Sequence, residues 1–170
     1  MKTLFTLFLV VLFNLPSLAQ DAATISETTT YYFIRHAEKD RTDKANKNPE
    51  LNKLGEKRAK NWSNYFKKID FDAIYSTDYN RTQQTAAPTA KKQKLDVVSY
   101  DPRTLYTNDF AKATRGKTVL VVGHSNTTPA FVNMVLDKKK HKDIADNDNS
   151  KLFIVTISGD TITDEVLTIH

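Results

Sequence analysis

From Thr29 onward, short apolar runs that suit buried strands alternate with stretches whose apolar residues recur at helical spacing. This alternation constrains the fold more than any other feature. A strand, a helix and another strand make a crossover, and crossovers build parallel sheets covered on both faces. The strand-like runs are "TTYYFIR" from Thr29, "DAIYST" from Asp72, "LDVVSY" from Leu95 and "KTVLVVGH" from Lys117. Between the first two, Leu51, Leu54, Arg58, Trp62, Tyr65 and Phe66 follow helical spacing. Asn52 suits the N-cap there, Glu56 suits the first turn, and Trp62 belongs to the core. "NRTQQTAAPTAKKQ" reads as a second helix, expected to kink or end early at Pro88. "TNDFAKATRG" is a short helix closed by Gly116, and "TTPAFVNMVL" a helix with Pro129 near its start. "KLFIVTISGDTITDEVLTIH" reads as a hairpin turning at Gly159–Asp160. "DRTDKANKNPE" and "DKKKHKDIADNDNS" are polar and read as surface loops, with His141 exposed in the second.

The 170 residues suffice for one domain with a real core. Residues 1–19 read as a secretory signal peptide: Lys2, a short apolar run, then small residues at Ser17 and Ala19. The run is about half the ~20 residues a membrane helix needs, so no stable anchor is expected after cleavage. Residues 20–28 read as a polar leader and 29–170 as the folded domain, exported to the periplasm or beyond the cell. Removing Met1–Ala19 takes away one lysine and no acid, so the net charge falls from +5 to +4. A mildly basic domain suits an anionic ligand. Its basic residues form no block with interleaved aromatics, which argues against nucleic acid. There is no cysteine, which excludes disulfides, thiolate metal sites and cysteine nucleophiles.

Open α/β sheets bind ligands beyond the carboxyl ends of their strands. Arg35 and His36 follow the first strand, Arg81 the second and His124 the fourth, in a chain with four histidines. Two arginines supply rigid forks for phosphate oxygens. A neutral imidazole among them is a competent nucleophile for phosphorus, and a second, protonated imidazole can stabilise transition-state charge. Phosphoryl transfer needs chiefly such positioning and charge stabilisation. Singly, each residue has an ordinary structural role; their coincidence at three strand ends carries the reading.

The segments "IRHAEK", "YSTDYNRTQQTA" and "VVGHSN" resemble the histidine phosphatase superfamily, also called the phosphoglycerate mutase-like fold. Ser76, Arg81, Gln84, Thr85 and Ala86 fall in register with the block that family carries after its second strand, and "LNKLGEKRA" resembles its first helix start. The resemblance implies an α/β/α sandwich and a phosphohistidine intermediate on His36. It implies a phosphate pocket completed by Arg35, Arg81 and His124, with no metal or organic cofactor. The substrate would be a small phosphorylated molecule or a phosphoprotein. A mutase-type phosphotransferase and a non-catalytic anion-binding module on the same fold are the alternatives.

Ala37 replaces the family's glycine, Asp78 its proline and Thr82 its alanine, and Thr42 stands where many relatives have a phosphate-contacting asparagine. The glutamate that mutase-like members use as general acid after the third strand has no counterpart in "YDPRTLYTNDF". Asp101, Asp109, Glu38 and Asp78 are the candidate proton donors. "DNDNS" from Asp146 has the beginning of a calcium loop, but Lys151 and Ile157 stand where glycine and glutamate are needed.

Overall fold

The computed structural model describes residues 27–170, and over them the alternation resolves into six strands and four α-helices. In chain order they are β1 (Thr28–Arg35), α1 (Lys53–Tyr65), β2 (Ala73–Thr77), α2 (Asn80–Gln93), β3 (Val97–Tyr100), α3 (Asn108–Thr114), β4 (Thr118–Gly123), α4 (Thr127–Val135), β5 (Lys151–Ser158) and β6 (Thr161–Thr168). The sheet order is β3-β2-β4-β1-β5-β6. The first four strands are mutually parallel, and β5 and β6 add an antiparallel hairpin on the far side of β1. The signal peptide and nearly all of the leader lie outside the described residues. The strand begins one residue earlier than the sequence reading placed it, at Thr28.

The pleat divides the core in two. On β1, Tyr31 and Phe33 face α3 and α4, where they pack with Phe110, Phe131 and Val132. Tyr32 and Ile34 face α1 and α2, among Trp62, Phe66 and Ala86. Along β4, Val119 and Val121 join the first cluster and Leu120 and Val122 the second. The arrangement is a three-layer α/β/α sandwich, which the runs of adjacent apolar residues in the central strands require. Phe33 and Ile74 are fully buried, and each contributes about 1.5–3 kcal/mol by leaving water.

Local chemistry sets the helix ends. The Asn52 side chain accepts from the Gly55 N–H at 2.9 Å and so caps α1. Gly55 is obligatory, because a Cβ there would overlap the Glu38 carbonyl oxygen. The α1 face differs from the periodic reading, since Leu54 and Tyr65 are exposed and Ala59, Trp62 and Phe66 are buried. Helix α2 neither kinks to a stop nor ends at Pro88; it forgoes one backbone bond and continues to Gln93. Burial of Thr85, Ala86, Thr89 and Ala90 against the sheet offsets that loss.

Candidate active site

Strand order puts β4 between β1 and β2, so their carboxyl ends lie side by side. Arg35 pairs with Gly123, and the next N–H, from His36, donates to the Gly123 carbonyl at 2.9 Å. His36 and His124 therefore leave neighbouring strands together, with ring centroids 5.5 Å apart. Gly123 leaves room for neighbouring side chains, since a Cβ would lie 2.8 Å from Thr128 Oγ1 and 2.9 Å from the Tyr100 hydroxyl and would force them to shift. Arg81, in the first turn of α2, reaches His124, with Nη2 3.3 Å from Nδ1.

The hydrogen bonds assign both imidazoles. His36 Nδ1 lies 2.7 Å from the Ala37 carbonyl, which can only accept. The proton therefore sits on Nδ1, and Nε2 carries the lone pair. His124 is the reverse. Its Nδ1 faces the Arg81 guanidinium, a donor, so Nε2 carries hydrogen and donates to Thr77 Oγ1 at 2.9 Å. Thr77 passes the chain on to Thr82 Oγ1 at 3.0 Å, and the Thr82 hydroxyl donates to the Thr77 carbonyl at 2.8 Å. Threonine in place of the family's alanine thus holds the second histidine's support. Ala37 keeps a negative φ and donates its N–H to Thr85 Oγ1 at 2.9 Å, so the missing glycine causes no strain there.

Burial, then Arg35, Arg81 and His124, disfavour a charged His36 and hold its pKa down at about 3, although its bond to Ala37 opposes them. Burial, Arg81, Arg35 and Lys39 lower His124 to about 4. Both rings are neutral at pH 7. The same cations that recruit an anion repel a proton until that anion arrives.

Arg35 is held in an unexpected way. Alternation along β1 sends it to the α3/α4 face, where the chain after Ile144 folds back over it. Its Nη1 donates to the carbonyls of Ala145, Asp146 and Asp148 at 2.8, 3.0 and 3.0 Å. Its Nη2 pairs with Asp146 Oδ1 at 3.0 Å. The Asn149 amide donates to the His36 carbonyl at 2.7 Å. The segment that resembled a calcium loop instead wraps a guanidinium. This corrects the reading of residues 137–150 as a simple surface loop. His141 is also not exposed: its Nε2 lies 2.7 Å from Asp164 Oδ2 and its ring stands edge-on to Phe153.

Besides Trp62 Nε1 and Thr89 Oγ1, which lie elsewhere, the buried polar side-chain atoms left unpaired among the described residues belong to the two site arginines. Arg35 Nε, Arg81 Nε and Arg81 Nη1 are buried N–H groups with no protein acceptor. Buried guanidinium donors are rarely left so, because each unmet bond is costly. The Tyr79 ring packs under the Arg81 guanidinium, 4.6 Å from centroid to carbon, and edge-on to His124.

The candidate proton donors fare unevenly. Asp101 is clasped by Arg103 through bonds of 2.7–3.1 Å, which hold its pKa near 2. With Asp78 it lines a separate cleft under Tyr79 and Tyr100. Asp109 is exposed in the first turn of α3. Only Glu38 shares a cleft with His36, and both its oxygens bond Arg58 Nε, at 2.8 and 3.0 Å. Thr42 is exposed on the rim of that cleft. Asn149 escaped the sequence reading, as did the side-chain roles of Thr77, Tyr79 and Thr85. Thr77, Tyr79 and Thr85 sit within a quoted motif, but Asn149 acts across a separation of 113 residues with no local signal.

A family model described as the histidine phosphatase superfamily, branch 1, matches residues 31–103. No curated protein matches the chain in sequence. Among solved structures, the chain is similar to a mycobacterial glucosyl-3-phosphoglycerate phosphatase, at 14% identity and TM-score 0.62, over 84% of this chain and 98% of that one. It is similar to the phosphoglycerate mutase of Bacillus anthracis, at 18% identity and TM-score 0.62, over 84% and 94%. It is also similar to the protein histidine phosphatase SixA complexed with tungstate, at 13% identity and TM-score 0.63, over 82% and 96%. At these identities the likeness is one of fold.

Proposed function

We propose that this chain belongs to the histidine phosphatase superfamily, a reading supported by the family match over residues 31–103 and consistent with the fold, and that it hydrolyses phosphate esters or phosphohistidine through His36. The observation that carries the reading is the set of unmet donors, Arg35 Nε and Arg81 Nε and Nη1, beside an imidazole whose Nε2 lone pair is free. These groups would bond the non-bridging phosphoryl oxygens while His36 Nε2 attacks phosphorus. The N–P bond forms as the bond to the leaving atom, an ester oxygen or a phosphohistidine nitrogen, breaks, and that atom takes the electron pair and then a proton from solvent. Water then attacks phosphorus and gives up a proton to solvent, the N–P bond breaks, and the imidazole regains its lone pair. An anion in the pocket raises the His124 pKa, so His124 can then meet a phosphoryl oxygen as a cation. The arginines supply the charge stabilisation, so no metal is needed.

Incubation with p-nitrophenyl phosphate, with and without chelator, tests this. We expect turnover insensitive to chelator, an acid-labile phosphoenzyme, and loss of both in His36→Ala. Phosphate binding without turnover would favour the anion-binding module, and phosphoryl transfer to an added alcohol or sugar phosphate the mutase. Activity retained by His36→Ala would refute the mechanism. We further propose export from the pattern of residues 1–19, tested by whether the mature chain begins at Gln20.

A further inference from the structure

The cleft beside His36 encloses about 720 Å³, well beyond the needs of one phosphoryl group. His36, Lys39, Arg41, Leu54, Asp146 and Asn149 are among the residues that line it. Its carboxylates are accounted for. Glu38 is held by Arg58, and Asp146 is shared by Arg35 and Arg41 at 3.0 and 2.9 Å. Asp40 is exposed and turns back to accept the Thr42 N–H at 2.9 Å. Lys39 is different. Its backbone is fixed by a bridge to Leu51 and the residue is half-buried, yet its ammonium has no carboxylate within ion-pair distance among the described residues. Its charged neighbours are mostly cations, Arg81, Arg41 and Arg35, with Asp146 opposing them, and its charge is felt at His124. An ammonium among like charges and without a carboxylate partner is stabilised when an anion joins it.

We propose that Lys39, flanked by Arg41, forms a second anionic subsite, and that the natural substrate carries a carboxylate or second phosphate close to the scissile phosphate. The proposal rests on the phosphatase reading for the first subsite. The cleft lining separates the two: Arg35 and Arg81 present buried, unmet donors to the transferred group and do not line the cleft, whereas Lys39 lines it together with Leu54 and Asn52, where the remainder of a substrate has room. A substrate with an uncharged remainder would leave Lys39 without a counterion.

The test uses a matched pair, 3-carboxyphenyl phosphate and 3-carbamoylphenyl phosphate, which differ in charge and hardly in shape. 1,3-Phenylene bisphosphate distinguishes a second phosphate from a carboxylate. We expect kcat/KM to favour the carboxyl ester over the carbamoyl ester by about tenfold, and Lys39→Met to bring that ratio close to one. Calorimetric binding of the same pair to His36→Ala, with and without Lys39→Met, reads the subsite without turnover and should show the same change in ratio. Equal handling of the pair by the wild-type chain, or an unchanged ratio in Lys39→Met, would overturn the proposal. Selective binding without any turnover would sink the phosphatase reading and leave the subsite standing.

Discussion

The two neutral imidazoles make acid stability a direct probe of the site. Unfolded, each histidine takes up a proton around its ordinary value of 6.5; folded, His36 resists until about pH 3 and His124 until about pH 4. The unfolded state therefore binds more protons between those limits. The folded state has its full advantage above pH 6.5 and loses it as pH falls toward the folded values. One pKa unit is worth about 1.4 kcal/mol, so His36 alone costs about 2 kcal/mol of stability by pH 5. His124 is partly exposed, and solvent screening reduces its share to about 1 kcal/mol. Together they remove about 3 kcal/mol, or roughly 6–12 °C in melting temperature for a domain of this size.

The assay is thermal melting at pH 7.5 and pH 5.0 of the wild-type chain and of His36→Asn/His124→Gln. Other acidic and basic groups titrate equally in both, so they cancel in the difference. The doubly substituted chain should lose less stability on acidification, by about 3 kcal/mol. Adding inorganic phosphate should narrow the wild-type loss, because a bound anion raises both histidine pKa values. If both chains lose the same stability, the imidazoles are not held neutral by burial, and the assignment of His36 Nε2 as a free lone pair fails with it.

Three further changes read separate parts of the site. Asn149→Ala leaves the His36 carbonyl without its buried donor; it should cost about 1–3 kcal/mol and lower kcat more than it raises KM, measured by denaturant unfolding and steady-state kinetics. Gly55→Ala drives a Cβ into the Glu38 carbonyl; it should destabilise by about 1–3 kcal/mol by differential scanning calorimetry, although alanine is the better helix former. Asp101→Asn should leave turnover of poor leaving groups within about twofold, since an exposed carboxylate clasped by Arg103 is a weak proton donor; a loss near the 10²–10⁴-fold typical of a general acid would restore Asp101 to that role.

The sheet was legible because its signals are local. Val119 to Val122 in sequence can only be a strand buried on both faces, and parallel order follows from the helices between strands. The convergence of Arg35, His36, Arg81 and His124 was legible for the same reason, since each ends or follows a strand whose neighbours topology dictates. What sequence could not carry is the state of those residues. Proton placement depends on Ala37 and Thr77, and the hold on Arg35 depends on three carbonyls, groups that every residue has and that no motif marks. Pro88 failed as a stop signal because burial of the surrounding threonines and alanines outweighs one missing hydrogen bond. The loop from Asp137 to Ser150 misled for a related reason. Its polar composition suggests solvent, yet its carbonyls point inward, because the buried cation of Arg35 needs acceptors and, among the described residues, only the exposed Asp146 offers it a carboxylate. Polarity in that segment therefore answers a charge more than 100 residues away in sequence, and the position of Asn149 on the His36 carbonyl follows from it.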